Sequence, residues 1–194
     1  MPSSPFARRR RVIHALMQRV RGNADGVAAV EFAMIAPIMF FLFVGSVEFS
    51  QAITVDRRVT QVASSTADLV AREKSTTTAE LAGMMQIIDH LVRPYDPSRL
   101  KVTVLDVEAN IANAANTTVR WSYNHNGGAN TYANGQPYAL PDGLVEAGNS
   151  VIIAEVTYNY EPLIFGYFIR TAFPLQEKFF LKPRLSSYVD CTNC

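Results

Sequence analysis

Residues 26–52 read GVAAVEFAMIAPIMFFLFVGSVEFSQA, and this stretch decides how the chain is organised. Its apolar run covers residues 27–47. As a helix rising about 1.5 Å per residue, that run spans about 31 Å, close to the hydrocarbon thickness of a bilayer. Glu31 is its one charged residue, and none follows between Phe32 and Val47. The spacing therefore predicts a single membrane span. Pro37 lies inside it and removes one backbone donor, which predicts a kink or local loosening of the transmembrane helix.

Working outward toward the N-terminus, Arg8, Arg9, Arg10, Arg11, Arg19 and Arg21 crowd the leader, and no acid precedes Asp25. A basic block ahead of an apolar run predicts a cytoplasmic N-terminus, with the remainder of the chain on the far side of the membrane. It also attracts anionic membrane lipid. A docking patch for a cytoplasmic partner is the minor reading of the same arginines. The formal net charge of the whole chain is only +1, so nothing in the composition points to nucleic acid.

Beyond Val47 the pattern turns one-sided. Val55, Val59, Val62, Thr66, Leu69 and Val70 recur at steps of three and four, with Asp56, Arg57, Arg58, Gln61 and Asp68 between them. This is the signature of an amphipathic helix running to about residue 74. Span and stripe together predict one helix of about 72 Å. Thr77 and Glu80 have the spacing of a capping box, so a second helix should run from there to Val92, before Pro94. Its apolar face is Leu81, Met84, Met85, Ile88 and Leu91.

The period then becomes two. Residues 100–107 (LKVTVLDV), 117–123 (TTVRWSY) and 151–160 (VIIAEVTYNY) read as strands. Residues 179–185 read as a last strand, with Pro183 indicating an edge position. Residues 163–173 are apolar and aromatic, and fit either a strand or a short helix. Asn126 to Gly128, Asn134-Gly135 and Asp142-Gly143 mark turns in the long stretch before Ser150. The expected fold class is α+β: a long N-terminal transmembrane-then-amphipathic helix and a small periplasmic head with an antiparallel sheet. The expected divisions are a leader at 1–26, the helix at 27–74 and the head at 75–194.

The chemistry-bearing motif is Gly26-Val27-Ala28-Ala29-Val30-Glu31-Phe32. A cut after Gly26 makes Val27 the first residue and Glu31 the fifth. Glycine before the cut suits a protease that must reach an extended backbone without a side chain in the way. The new α-amine at Val27 would be costly to bury among apolar side chains unless paired. Glu31 supplies a carboxylate one helical turn away, and an acid in the first turn also favours the helix dipole.

This opening resembles that of TadE-like proteins, the minor pilins or pseudopilins of tight-adherence (Tad, or Flp-type) pili. Gly26, Glu31 and Phe32 match the prepilin-peptidase pattern, and Pro37 and Gly45-x-x-Glu48-Phe49 match its extension. Residues 150–162 and Lys182-Pro183-Arg184 resemble the family's C-terminal strands. The resemblance implies processing by a prepilin peptidase. It implies assembly with other pilin or pseudopilin subunits on a Tad inner-membrane platform, and a role in surface adhesion. TadG-like relatives share the AVEF-type start with larger outer regions and can remain unprocessed.

Glu48 reads as a boundary residue at the outer edge of the span or as a subunit contact. Cys191 and Cys194 are the only cysteines and end the chain. A local disulfide, a cross-subunit bridge and free thiols are the three readings, in that order. His14, His90 and His125 are scattered without metal-ligand spacing. No Gly-rich phosphate loop or G-x-S-x-G elbow occurs, so neither an enzyme, a metal nor a cofactor is expected. Two rivals remain. Ser50-Gln51-Ala52 could end an ordinary signal sequence, leaving an exported periplasmic binding protein, or the chain could be an unprocessed bitopic scaffold.

Overall fold

The computed structural model describes residues 24–162, 164, 166 and 172–194. The chain divides into two units, one ending at Val47 and one covering Glu48–Cys194. The leader lies almost wholly outside the described residues, as does most of 163–171.

Helix α1, Ala24–Ala71, is continuous through Pro37. Most of its residues up to 47 present their apolar side chains outward: Phe32, Met34, Leu42 and Phe43 are each about 70% exposed, whereas Val44 is 7% exposed. From Val55 onward the same helix buries a stripe. Val55, Val59, Val62, Thr66 and Val70 are each at most 1% exposed, joined by Ala63, Ala67 and Ala71. Each buried Val contributes roughly 1.5–3 kcal/mol of transfer free energy, and the small Ala positions let neighbouring elements approach the helix axis. The helix stops three residues short of residue 74. The Ala71 carbonyl, left without a helical partner at the C-terminus, accepts the Arg184 N–H at 2.9 Å.

Strand β1 (Ser75–Thr77) leads directly into helix α2 (Thr78–Leu91). The capping box forms as the sequence predicts. Thr77 Oγ1 accepts the Glu80 N–H at 3.2 Å, and Glu80 Oε2 accepts the Thr77 N–H at 2.9 Å. Leu81, Met85 and Ile88 form its buried face.

The main sheet follows: β2 (Leu100–Ala109), β3 (Thr117–His125), β4 (Ser150–Tyr160) and β5 (Phe173–Leu181). Its order is β3-β2-β4-β5, and every pair is antiparallel. β5 is an edge strand, as expected, but it starts at Phe173 rather than 179 and ends at Leu181, before Lys182 and Pro183. Its polar residues Gln176, Glu177 and Lys178 are tolerated because an edge strand meets solvent. Two short strands complete the unit: β6 (Asp190–Thr192) pairs in parallel with β1.

Alternation sorts the sheet into two faces. Val102, Val104, Trp121, Ile152, Ala154 and Val156 point into the core shared with α2 and the second half of α1. Leu105, Val107, Val119, Val151 and Ile153 point the other way. That second face is covered by the Asn/Gly-rich stretch after β3, through Tyr132, Tyr138, Leu140 and Leu144. The stretch turns where glycine permits. Gly128 has φ +66°, and a Cβ there would fall 2.8 Å from Thr103 Oγ1 and collide with the Asn124 side chain. Thr103 Oγ1 accepts the N–H groups of Ala129 (2.8 Å) and Asn130 (3.1 Å).

Candidate functional site: an apolar run with one carboxylate

Gly26, Val27, Glu31, Phe32 and Pro37 all lie on α1. Gly26 lies within the helix, so the Gly26–Val27 bond is helical rather than extended. A protease that needs extended backbone would have to unwind the helix there. Gly lowers that cost, because it weakens a helix by about 1 kcal/mol relative to Ala. Among the described residues nothing asks for glycine at this position: a Cβ on Gly26 would meet none of them within 4 Å, and its φ is not positive.

Val27 is 59% exposed and Phe32 is 70% exposed, and Glu31 is exposed beside them. Val27 and Glu31 are separated by four residues and so stack on one helix face about one turn apart. The helix is long and apolar enough to cross a membrane. Its outward apolar surface has no place in water, and calls for lipid or other helices as its surroundings.

Glu48, at the edge of the apolar run, is only 8% exposed, and one of its oxygens accepts the Ile164 N–H. The next turns of α1 are tied in the same way: Gln51 Oε1 accepts the Tyr95 hydroxyl at 3.0 Å, and Arg58 Nη1 donates to the Leu91 carbonyl at 3.0 Å.

At the other end of the sheet, Cys191 and Cys194 are joined in a disulfide with Cα atoms 5.7 Å apart. The segment leading to it is fixed by Trp121, whose indole N–H donates to the Val189 carbonyl at 2.7 Å. A bulge where the register shifts between Asp106 and Val107 leaves Arg120 as the extra residue on β3. Arg120 reaches Glu108 at 2.7 Å and Asp190 at 2.9 Å, and stacks 4.0 Å from the Tyr188 ring. Arg120 Nε also lies 3.5 Å from the fully buried Asp106. Burial raises the Asp106 carboxyl to about 7, against the opposing pull of Ser150, Arg120 and the Val189 backbone. An open cavity of about 350 Å³ beside Arg120, Asp190 and the disulfide is polar and shallow.

A second buried carboxylate was invisible to sequence spacing. Glu155 on β4 is 1% exposed and accepts from Tyr138 (2.9 Å), Tyr132 (3.0 Å) and Lys178 (2.7 Å), and from Asn130 Nδ2. Burial alone would raise its carboxyl, but the bonds from Lys178, Asn130, Tyr138 and Tyr132 together hold it below the ordinary glutamate value. The signal available was a lone Glu in a strand apolar on both faces. His125 contacts Asp89 at 3.0 Å, and His90 lies on α2. Among the described residues no cluster of His, Cys, Asp or Glu is arranged to hold a metal ion.

No curated protein matches the chain, and no solved structure does. A family model does match part of it. The matched part holds Gly26, Glu31, Phe32, Pro37 and Glu48 and ends within α1, so the strands expected to resemble the family lie outside it. Residues 26–68 match the family described as TadE-like protein.

Proposed function

We propose that the chain is a minor pilin or pseudopilin that takes part in assembling a Tad (Flp-type) pilus for surface adhesion. TadE-like proteins are pilus-associated structural proteins, and the TadE-like segment associates this chain with Tad pili. In this reading residues 27–47 cross the bacterial inner membrane, with the N-terminus cytoplasmic and the α+β head periplasmic. A prepilin peptidase cuts after Gly26. The partners are that peptidase, other pilin or pseudopilin subunits, the Tad inner-membrane platform and membrane lipid.

One observation carries the reading: a TadE-like match lies over a helix whose apolar run, residues 27–47, holds a single carboxylate, Glu31, one turn from Val27. Gly26 adds support, since neither packing among the described residues nor backbone geometry explains a glycine there. Once the Gly26–Val27 bond is cut, the α-amine of Val27 is a cation at the head of an apolar helix. Packing helices side by side would bury that cation. Glu31, on its own or a neighbouring helix, neutralises it, and losing one member of such a buried pair costs roughly 3–5 kcal/mol. The exported-binding-protein rival, with a cut near Ala52, fits less well. Ala52 and Val55 pack in the core, and the cut would detach Glu48 and Gln51 from the head residues they hold.

The test is Glu31→Ala in the native host. The variant should stay in the membrane fraction after a carbonate wash while pili on the cell surface fall sharply. Normal piliation would overturn the pairing role, and release of the protein by carbonate would favour the exported soluble rival.

A further inference from the structure

The end of the sheet next to Glu48 carries exposed apolar side chains. Phe49 is 69% exposed, Ile164 is 41% exposed and Phe173 is 52% exposed. Ile164 is held within reach of one glutamate side chain, because its N–H donates to the Glu48 carboxylate. Phe173 pairs with Tyr160 across β4 and β5, and Tyr160 packs in the same core as Ala52, one turn along from Glu48. The sequence of residues 163–173 contains no acid and one cation, Arg170.

Position along the chain sets the depth of this patch. Glu48 and Phe49 directly follow the apolar run that ends at Val47, so Phe49 lies about 3 Å further along the helix. The headgroup layer extends about 5–7 Å beyond the hydrocarbon on each side. Glu48 and Phe49 therefore fall inside that layer, and the Ile164 backbone is bonded to one of them. Aromatic and aliphatic side chains at this depth gain apolar contact without leaving polar groups dry. Glu48 is tolerated there because a backbone N–H satisfies one of its oxygens.

We propose that Phe49, Ile164 and Phe173 form a lipid-contacting patch that seats this end of the head in the headgroup layer of the membrane. The proposal rests on residues 27–47 crossing that membrane. The patch is a second attachment, distinct from the span, and it limits how the head is presented during assembly.

Spin labels on the full chain in lipid bilayers test it. The native cysteines stay paired under non-reducing conditions, so Ile164→Cys, Phe41→Cys and Ile111→Cys each add one labelling site. Ile111 is 86% exposed and follows the opposite end of β2. The ratio of collisions with oxygen to collisions with a water-soluble nickel complex should be several-fold higher at 164 than at 111. A label at 41 should be deepest. Equal ratios at 164 and 111, with 41 still in lipid, would overturn the patch and leave the span intact. Aqueous exposure at 41 would overturn the span and the patch with it. Shielding of 164 from both reagents would replace lipid by a protein contact, and so overturn the assignment.

Discussion

Tyr138 donates its phenolic hydrogen to Glu155 Oε1 across 2.9 Å, joining the Asn/Gly-rich stretch to the centre of the sheet. Tyr132 and Asn130 from the same stretch and Lys178 from β5 reach the same carboxylate. The stretch between β3 and β4 is thus a fixed cover over the second sheet face, held by one buried charge.

Removing that charge should loosen the cover. Glu155→Ala leaves Tyr132, Tyr138 and Asn130 without their acceptor, and a loss of about 3 kcal/mol is expected. Glu155→Gln keeps the shape and should lose less. Urea unfolding of the full chain in detergent, read by the single tryptophan, Trp121, measures both. The Glu155 carboxyl is depressed in the fold, so its contribution is complete above the ordinary 4.5 and is lost as pH falls through the lower folded value.

Asp106 should act with the opposite sign. Its carboxyl is raised from 3.8 to about 7, so the folded chain holds that proton more tightly than the unfolded chain. Its effect on stability is most favourable below 3.8 and declines as pH rises to about 7. Asp106→Asn removes this decline and should raise stability at neutral pH by up to about 4 kcal/mol. Unfolding curves collected from below 3.8 to above 7 should be flatter for the variant over that window.

Thr77 closes the capping box of α2. Thr77→Ala should cost about 1 kcal/mol, while Thr77→Ser should be nearly neutral because it keeps the accepting oxygen. The same unfolding experiment separates the two. Equal losses would show that the methyl contact, rather than the cap, matters at this position.

What was legible in the sequence follows from period and punctuation. The stripe from Val55 to Val70, the box at Thr77 and Glu80, and the alternation in β2 and β4 each repeat a local geometry within one element. The start of β5 is not legible, because Pro174 and the polar run Gln176-Glu177-Lys178 hide an edge strand whose outer side needs no apolar residues. β1 and β6 are three residues each and owe their pairing to two distant segments brought together by the fold. The Glu155 cluster joins residues from three separate stretches, and no spacing within any one of them announces it. At the candidate site, the positions of Gly26 and Glu31 on one helix were readable. The burial of Glu48 was not, because its partner is the backbone of residue 164.

The most direct measurement is the N-terminal sequence and intact mass of the protein recovered from its native host. The account predicts a chain that begins at Val27. A chain that begins at Met1 or Pro2, or one that begins near Ile53, would contradict it.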